Sequence, residues 1–567
     1  MAAVDDRAGR PPDNEAMQRV ATVDDWASRF ARLTSGFPLS ARLGIRAAAR
    51  FVPELVKVPM LLAAAAETTG DATPGRPDPP LTCVPSAEWR GGSADVVVVG
   101  SGAGGAVVAK VLAEAGMDVV VVEEGRRHTA EEFRRTSTFD RFRTLYRDSG
   151  ATVALGLPPV VLPLGRGVGG TTLVNSGTCF RTPDRVLRRW REQWGVPTDE
   201  FPELLDAVER MLHVAPQPLD VLGRNGLLAI AGASSLGWDA QPLNRNAPGC
   251  AGSCQCAVGC PRNAKNGVHL NALPDACRAG ARIVTEARVT RVITARRRAE
   301  GVLIRRPDGS SFVLRAPLVV VAAGATETPP LLRRSGLGGQ PGLGRGMAVH
   351  PATTVAGRFD EPVNSSRGVL QSVGIERFHD EGILIEATTG PAGLVTFPLP
   401  GTGRELRHEL DNRHHLAYLG AMVADAPAGQ VLGRHRPVIT YQLTRADAGK
   451  LRKAMVEMGR VLFAAGATEV LTGLDRHPRA STVEELAEIV GTTPAKALRV
   501  AAFHPTGTAR MGADGQRAPV DVTGRLRGVY GVYIADGSCL PTCPEVNPQV
   551  TIMAVAMAVA NGIRSTS

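Results

Sequence analysis

The stretch Ala94–Gly125, ADVVVVGSGAGGAVVAKVLAEAGMDVVVVEEG, decides the fold of this chain. Its β-branched run Val96–Val99 is typical of a strand buried in a parallel sheet. A glycine-rich turn leads from this run into a predicted helix, Ala106–Ala115, and a second predicted strand covers Asp118–Val122. A strand, a helix and a strand in this order predict the βαβ unit of a Rossmann-like domain.

The turn carries the pattern G-x-G-x-x-G, in which each glycine has a physical reason. Gly100 allows a tight turn, Gly102 lets backbone N–H groups approach a pyrophosphate, and Gly105 lets the helix pack closely on the strand. The positive end of the helix dipole favours phosphate at the same place. The turn residues expected at the cofactor are Gly100, Ser101, Gly102, Ala103 and Gly105.

An acidic residue, Glu123, ends the second predicted strand. It follows the turn by about 20 residues, where a carboxylate can hold ribose hydroxyls. A glycine pattern alone is weak evidence, but here the strand, turn, helix, second strand and terminal acid all occur in order. The stretch therefore predicts a dinucleotide site, although it does not by itself distinguish FAD from NAD.

Composition and charge narrow the class of protein. The chain has 567 residues, 44% of them hydrophobic, which is enough for a large core. Its net charge of +10 comes from scattered arginines and only 4% of residues are aromatic, so we expect no nucleic-acid partner. The N-terminus lacks the features of an export signal, and no run reaches the ~20 apolar residues of a membrane span. We therefore expect a cytoplasmic protein with reduced thiols.

The chain divides into four predicted segments. Residues 1–92 predict an N-terminal helical cap and a linker, and the helical stretch at 24–66 leaves open a peripheral contact with a membrane. Residues 93–351 are predicted to form the main nucleotide-binding part, and residues 500–567 are predicted to belong to the same domain. Residues 352–499 alternate short apolar runs and helical patterns, which predict an inserted substrate domain. The expected fold class is α/β, with a Rossmann-like domain and an inserted, mostly antiparallel sheet plus helices.

Further motifs resemble the glucose–methanol–choline (GMC) oxidoreductase family, whose members bind FAD. They are GRGVGGTTLVNSGTCFR (Gly165–Arg181), GATETPPLLRRSG (Gly324–Gly336), FHPTGTARM (Phe503–Met511) and NPQVT (Asn547–Thr551). Together with the glycine turn they extend over most of the chain, whereas 352–500 matches only loosely. The resemblance implies a Rossmann-like FAD-binding domain and FAD as the cofactor.

The resemblance also implies which residues contact FAD. In the family the first motif lies along the flavin, and its paired glycines approach the flavin ring. The strand residue that matches Val289 meets the adenine through backbone groups. The positions assigned in this way are Gly169, Gly170, Thr171, Asn175, Val289, Asp536 and Gly537.

The catalytic pair implied by the resemblance is His504 and Asn547. Oxidation of an alcohol requires loss of the hydroxyl proton, and a neutral imidazole with an ordinary pKa near ~6.5 can take it. Asn547 can hydrogen-bond the substrate oxygen without competing for this proton, at a position where many family members carry a second histidine. His350, in GMAVHPA, matches a common family turn and is interpreted as structural. His414 and His415 receive no role.

Four cysteines crowd into one short stretch, GCAGSCQCAVGCPRNAKNG, at positions 250, 254, 256 and 260. The segment CAVGCPRNAK is similar to the cysteine-rich segment of long-chain alcohol oxidases, with Asn263 in place of a glycine. Alternatively, Cys250, Cys256 and Cys260 resemble the iron–sulfur ligands of FAD-dependent sugar dehydrogenases. A structural loop beside the flavin domain, with or without a disulfide, is the interpretation we favour.

The function expected from these motifs is FAD-dependent oxidation of an alcohol to an aldehyde or ketone. The N-terminal segment and the cysteine stretch favour a long-chain or hydrophobic alcohol, and a sterol or other secondary alcohol is the alternative within this class. A lyase or decarboxylase of the same fold, and a non-catalytic flavoprotein, stay open. Oxygen, or a quinone or other electron-transfer partner, would then accept the electrons.

Overall fold

A six-stranded parallel sheet forms the centre of the protein. The computed structural model describes residues 73–391, 398–402 and 404–566, so the predicted helical stretch at 24–66 lies outside the described residues. Neighbouring strands of the sheet are parallel throughout. In spatial order they are Cys83–Pro85, Arg282–Thr285, Val119–Val122, Val96–Val99, Leu318–Val321 and Val532–Ile534. The two central strands consist of four buried valines each, which confirms the predicted Rossmann-like unit.

The helix after the glycine turn covers Ala103–Glu114, and so begins three residues earlier than predicted. Its first turn contains Gly104 and Gly105, both at points of close backbone contact. A Cβ atom on Gly104 would lie 1.9 Å from the carbonyl oxygen of Ala535. The first helical turn therefore packs directly on the strands. The helix also contacts Gln549–Thr566 and Ala272–Arg278.

Other helices complete the nucleotide-binding part, and a four-stranded sheet lies beside it. The helices are Ala130–Arg135, Thr138–Leu145, Asp184–Trp194, Phe201–Leu212 and Thr328–Arg334. The strands are Arg288–Ala295, Arg298–Arg305, Ser311–Arg315 and Gly92–Ser93. The segment predicted as a linker, 67–92, thus contributes the edge strand Cys83–Pro85 and begins another strand at Gly92.

A second large sheet forms the substrate domain, and its central strands are antiparallel as predicted. Its strands in spatial order are Val153–Ala154, Val160–Val161, Ala501–Ala502, Pro351–Arg358, Leu416–Val423, Ile383–Thr388, Gln371–Ile375 and Gln241–Pro242, with Glu469–Leu471 and Arg479–Ala480 attached beside Pro351–Arg358. The strands at 153–161, 241–242 and 501–502 come from outside the predicted insertion at 352–499. The two parts of the protein are therefore interleaved along the chain.

Helices cover one face of this second sheet and leave the other face free for a site. The covering helices are Arg224–Ser235, Arg445–Ala464 and Val483–Thr492. The smaller elements are the helix Arg404–Asp411, a three-stranded sheet of Arg345–Met347, Gly429–Leu432 and Val438–Thr440, and the pair Ala215–Pro216 with Asn244–Arg245. None of the described helices is both long and apolar enough to cross a membrane.

Candidate active site

A cavity of about 620 Å³ lies between the two large sheets. On one side it is bordered by the residues that follow the carboxyl ends of the parallel strands, including Gly100, Glu123, Ala322 and Asp536. Open α/β sheets bind their ligands at this edge. On the other side it is bordered by the free face of the substrate sheet. The fold thus brings the predicted cofactor residues and the predicted catalytic residues to one space.

The glycine turn forms an open cradle at one wall of the cavity. Gly100 has a φ of +98°, in the region that favours glycine. A Cβ atom on Gly102 would meet no atom nearer than the Cα of Gly170, at 3.9 Å, so the space beside it is open. A Cβ atom on Gly170 would lie 2.8 Å from the Cα of Gly102. The predicted turn therefore faces Gly170, the second of the paired glycines. Gly169 lies against His269 and Leu173 and does not border the cavity, and Gly105 packs away from the cavity against Gly100.

A hydrogen-bond network joins Glu123 to both glycine segments. One carboxylate oxygen of Glu123 accepts hydrogen bonds from the N–H and the hydroxyl of Ser101, at 3.1 and 2.7 Å. The other accepts from the N–H of Gly125 at 2.8 Å. The hydroxyl of Ser101 in turn accepts from the N–H of Gly169 at 3.0 Å. Burial raises the pKa of Glu123. Ser101 thus connects the two segments, a role that the motif spacing did not indicate.

The other predicted cofactor positions lie around the same cavity. Ala103, Thr171, Asn175, Val289, Asp536 and Gly537 all border it. Asp536 uses its carboxylate within the protein, since it accepts from the N–H of Gly324 at 2.8 Å and from the hydroxyl of Thr328 at 2.7 Å. The carbonyl of Val289 accepts from Arg334 at 3.2 Å. Asp536 therefore fixes the loop after a neighbouring strand as well as bordering the cavity.

Lys265 holds the segment that carries Asn175, and sequence analysis assigned it no role. Its ammonium donates to the carbonyl of Thr172 at 2.7 Å and to the side-chain oxygen of Asn175 at 3.1 Å. Burial lowers the pKa of Lys265 to about 8. Asn263, which stands where the similar oxidases have glycine, has a φ of +52°. Asparagine tolerates this left-handed conformation better than most residues, which explains why it can replace glycine here.

We expect Lys265→Met to lower the flavin content of the purified protein. The substitution leaves two buried oxygen acceptors without a donor, and each such loss costs roughly 1–3 kcal/mol. The ratio of flavin to protein absorbance after dialysis measures the effect. Lys496→Met, in a short helical turn away from the cavity, serves as the control and should retain full flavin content. Full occupancy in Lys265→Met would contradict this role.

The predicted catalytic residues, His504 and Asn547, both border the cavity. The side-chain oxygen of Asn547 is buried and has no hydrogen-bond partner among the residues that the structure describes. His504 lies on a segment that pairs with Ala348–His350, since its N–H donates to the carbonyl of Val349 at 3.3 Å. The structure therefore brings together the two residues that the motifs assigned to catalysis.

His350 contacts His504 directly, a contact that sequence analysis did not predict. The Nδ1 atoms of the two histidines lie 3.1 Å apart. The Nε2 atom of His350 lies 2.6 Å from the sulfur of Cys543. His350 has a φ of +52°, and Asp425 accepts hydrogen bonds from the backbone N–H groups of Val349 and His350. Strained backbone of this kind persists where the surroundings hold it in place.

Burial sets the protonation of this group of side chains. It lowers the pKa of His504 to about 4 and that of His350 well below its usual value. It raises the pKa of Asp425 to about 6 and that of the Cys543 thiol well above its usual value. Both imidazoles are therefore neutral at pH 7, and Cys543 is a thiol.

The cysteine stretch forms a loop held by a buried arginine. Arg245 contacts the sulfur of Cys256 at 3.3 Å and that of Cys250 at 4.0 Å. All nine cysteines are free. In the described part of the chain, no three cysteines of this loop bring their sulfur atoms within 4.8 Å of one another. This geometry does not fit a single metal ion, and the free thiols do not support a disulfide. An iron–sulfur cluster on Cys250, Cys256 and Cys260, whose ligand sulfurs would lie farther apart, stays a hypothesis.

The cavity fits a flavin dinucleotide in two respects. Gly102 leaves an open cradle at the start of a helix, where backbone N–H groups and the helix dipole favour a pyrophosphate. Elsewhere on its border, the buried side-chain oxygen of Asn547 has no partner among the described residues and is available to a polar group of a ligand. The site therefore has an anion-binding end and a polar reactive end, as an FAD-dependent oxidoreductase requires.

Comparison with known proteins identifies the family. The GMC oxidoreductase family matches residues 142–352 and 428–556, and an FAD binding domain matches 93–152. An uncharacterised GMC-type oxidoreductase of Mycobacterium tuberculosis is 57% identical over 86% of this chain and 78% of its own length. A long-chain-alcohol oxidase of Arabidopsis thaliana is 30% identical over 83% of this chain and 67% of its own length.

A solved structure supports the fold. The structure of pyridoxine 4-oxidase from Mesorbium loti matches with a TM-score of 0.64 and 19% sequence identity. The match covers 82% of the present chain and 98% of the pyridoxine 4-oxidase chain. The fold and the site define the protein as an FAD-dependent oxidoreductase. The chain belongs to the GMC oxidoreductase family.

Proposed function

We propose that this protein oxidises a hydrophobic alcohol at its CH–OH group, with His504 as general base. The observation that carries the proposal is that His504 and Asn547 border one cavity together with the glycine turn. The similarity to a long-chain-alcohol oxidase supports the same substrate class. When bound, FAD accepts the two electrons and the hydrogen that leave the alcohol carbon.

His504 accepts the hydroxyl proton of the alcohol at Nε2. Its Nδ1 is engaged by Nδ1 of His350, so one proton lies between these two atoms. We propose that Nε2 of His350 carries a proton and donates to the sulfur of Cys543, so that Nδ1 of His350 is an acceptor and the proton between the two rings is on Nδ1 of His504. This arrangement leaves a lone pair on Nε2 of His504, which is what a general base needs. His350 is thus a positioning residue that fixes the tautomer of His504.

Asn547 orients the substrate oxygen. Its amide borders the same cavity, where the amide N–H can donate to the substrate oxygen while the single hydroxyl hydrogen points to Nε2 of His504. An amide does not titrate, so it does not compete with His504 for the proton.

A hydrophobic substrate is supported by apolar side chains near His504. Phe503 borders the cavity and is 49% exposed. Leu155 and Leu157, on the segment between two edge strands of the same sheet, are 59% and 65% exposed. The two leucines do not border the cavity, and Phe503 does. Large exposed apolar side chains are common at binding surfaces, and we propose that Phe503 contacts the hydrocarbon part of the alcohol.

An anaerobic reduction screen tests the proposed function. The holoenzyme is mixed without oxygen with long-chain alcohols, sterols and short alcohols, and the flavin absorbance band is followed. We expect the band to bleach with long-chain alcohols. No bleaching with any alcohol would contradict the proposal and would point to a lyase or decarboxylase.

Reoxidation of the reduced flavin by air is then compared with its reoxidation by a quinone. We propose oxygen as the electron acceptor, in keeping with the relatives named as oxidases. Reoxidation by the quinone alone would contradict the choice of oxygen.

The pH dependence of flavin reduction gives a further prediction. Because burial lowers the pKa of His504 to about 4, the imidazole is neutral and able to accept a proton at all higher pH values. We expect the rate constant for reduction by a long-chain alcohol to be constant between pH 5 and pH 8, and to fall as pH drops toward 4. Stopped-flow absorbance measures this rate constant. A rate that rises about fourfold or more between pH 6 and pH 8 would instead indicate a base with an ordinary or raised pKa.

A further inference from the structure

Glu386 places a carboxyl group on the cavity face of the substrate sheet. It lies in the strand Ile383–Thr388, in which Ile383, Ile385 and Ala387 pack into the core on the opposite face. Side chains alternate across a strand, so Glu386 and Thr388 face the cavity, and both border it. Glu386 is only 4% exposed.

A short chain of hydrogen bonds supports this carboxyl group. The amide nitrogen of Gln371 donates to one oxygen of Glu386 at 2.8 Å. The hydroxyl of Thr178 donates to the amide oxygen of Gln371 at 2.7 Å. A shift in strand register between Gln371 and Val373 turns the Gln371 side chain toward the cavity. Gln371 and Thr178 thus hold Glu386 in one orientation.

The second oxygen of Glu386, Oε1, is buried and finds no hydrogen-bond partner in the described part of the chain. Burial, together with a smaller effect of the charge of Glu376, raises the pKa of Glu386 to about 8. Glu386 is therefore mostly a neutral carboxylic acid at pH 7. Such a group can both donate and accept a hydrogen bond.

Glu386 borders the same cavity as His504. It is paired with Gly420, which is paired in turn with Thr354 on the next strand. The methyl carbon of Thr388 covers Gly420, since a Cβ atom there would lie 2.5 Å from it. Glu386, Gly420 and Thr354 all border the cavity, so a ligand that occupies it can contact Glu386.

We propose that Glu386 binds a second hydroxyl group of the alcohol substrate, distant from the carbon that is oxidised. This inference rests on the proposed function and narrows its substrate class to hydrophobic alcohols with an additional hydroxyl. A neutral carboxylic acid and a hydroxyl can exchange two hydrogen bonds, so Oε1 gains a partner. A hydrocarbon chain alone would leave Oε1 without one, which is unfavourable for a buried polar atom.

The sheet gives the approximate spacing of the two hydroxyl groups. The strand of Glu386 is separated from Ala501–Ala502, which precedes His504, by the strands Leu416–Val423 and Pro351–Arg358. At about 4.8 Å for each strand spacing, the backbones of the outer two strands are about 14 Å apart. The side chains of Glu386 and His504 shorten the distance that the substrate must span. The second hydroxyl is thus several carbon atoms away from the reacting carbon.

The test compares terminal diols with primary alkanols of equal length, from butanediol to dodecanediol. Anaerobic flavin reduction by the holoenzyme is measured as an apparent second-order rate constant at pH 7. We expect the wild-type protein to prefer one diol length over the matching alkanol about 10- to 100-fold, the effect of satisfying a buried polar group. Glu386→Leu should reduce this ratio to near one. Glu386→Gln, a neutral hydrogen-bonding group of similar shape, should keep most of it.

Glu381→Gln is the matched control, because Glu381 precedes the same strand and its side chain is 54% exposed. It should keep the wild-type ratio. Reduction by alkanols without a preference for any diol, or an unchanged ratio in Glu386→Leu, overturns the inference and leaves the proposed function intact. A stronger preference for the aminoalcohol of equal length overturns the assignment to a hydroxyl. If neither alkanols nor diols bleach the flavin of the wild-type protein, the proposed function itself fails.

Discussion

Replacement of His504 by alanine is expected to slow flavin reduction by an alcohol about 10²–10⁴-fold, the usual contribution of a positioned general base. The substitution removes the nitrogen proposed to accept the hydroxyl proton and breaks the 3.1 Å contact with His350. His504 belongs neither to the glycine turn nor to the hydrogen-bond network of Glu123, so flavin content should stay near that of the wild-type protein. Anaerobic stopped-flow absorbance at the flavin band measures the rate constant.

The control for this experiment is His414→Ala. His414 is exposed, does not border the cavity and has no contact with His504. Its variant should reduce flavin at the wild-type rate. A loss of less than about threefold in His504→Ala, with flavin fully bound, would be far too small for a general base and would contradict the role proposed for this histidine.

Gly102→Val is expected to yield a folded protein without bound flavin. A Cβ atom at Gly102 would be 3.9 Å from the nearest atom, so the protein itself has room for the side chain. The backbone has a φ of −72° and a ψ of −165°, which valine adopts without strain. The added methyl groups fill the cradle in which the pyrophosphate binds. We expect the flavin absorbance of the purified protein to fall more than about tenfold, since close backbone approach is lost.

Circular dichroism and a second glycine variant distinguish a loss of flavin binding from a loss of folding in this experiment. Gly449→Ala lies in the helix Arg445–Ala464, and no atom lies within 4 Å of the added Cβ position. It should keep both helical content and flavin. A yellow Gly102→Val protein with a full complement of FAD would show that the dinucleotide does not lie on the glycine turn.

The parts of the fold that sequence analysis predicted correctly are encoded locally. The runs Val96–Val99 and Val119–Val122 are apolar on both faces, so they can only form central strands. The antiparallel sheet was predictable because Leu416–Val423 and its neighbours are short apolar runs bounded by turns. By contrast, Cys83–Pro85 and Val160–Val161 are too short to show any periodicity, and only their pairing partners define them as strands.

Sequence analysis could predict the site residues that belong to a motif. It could not predict the contacts that join segments distant along the chain. His350 and His504 are 154 residues apart, and the pairing of Ala348 with Thr506 brings them together. Glu386 belongs to no motif. Its signal in the sequence is one acid in an apolar strand, ILIEAT, where a charge would be costly without a function.

The cysteine stretch shows that the spacing of cysteines along the sequence is weak evidence for a metal site. Four cysteines in eleven residues suggested metal ligands, but the direction of each thiol depends on the local backbone. Cys254 has a φ of +55°, and Arg245 contacts two of the other sulfur atoms. These features arise from the fold of the loop and from a residue outside the motif, so spacing could not reveal them.

The most direct test of the central claim is a crystal structure of the FAD-bound protein with a long-chain tertiary alcohol. Such an alcohol binds but has no hydrogen on its carbinol carbon, so it is not oxidised. We predict that its oxygen lies within hydrogen-bond distance, about 2.6–3.2 Å, of both Nε2 of His504 and the side-chain amide of Asn547. An alcohol oxygen that contacts neither side chain, in a cavity that also holds FAD, would contradict the claim that these two residues act on the hydroxyl group.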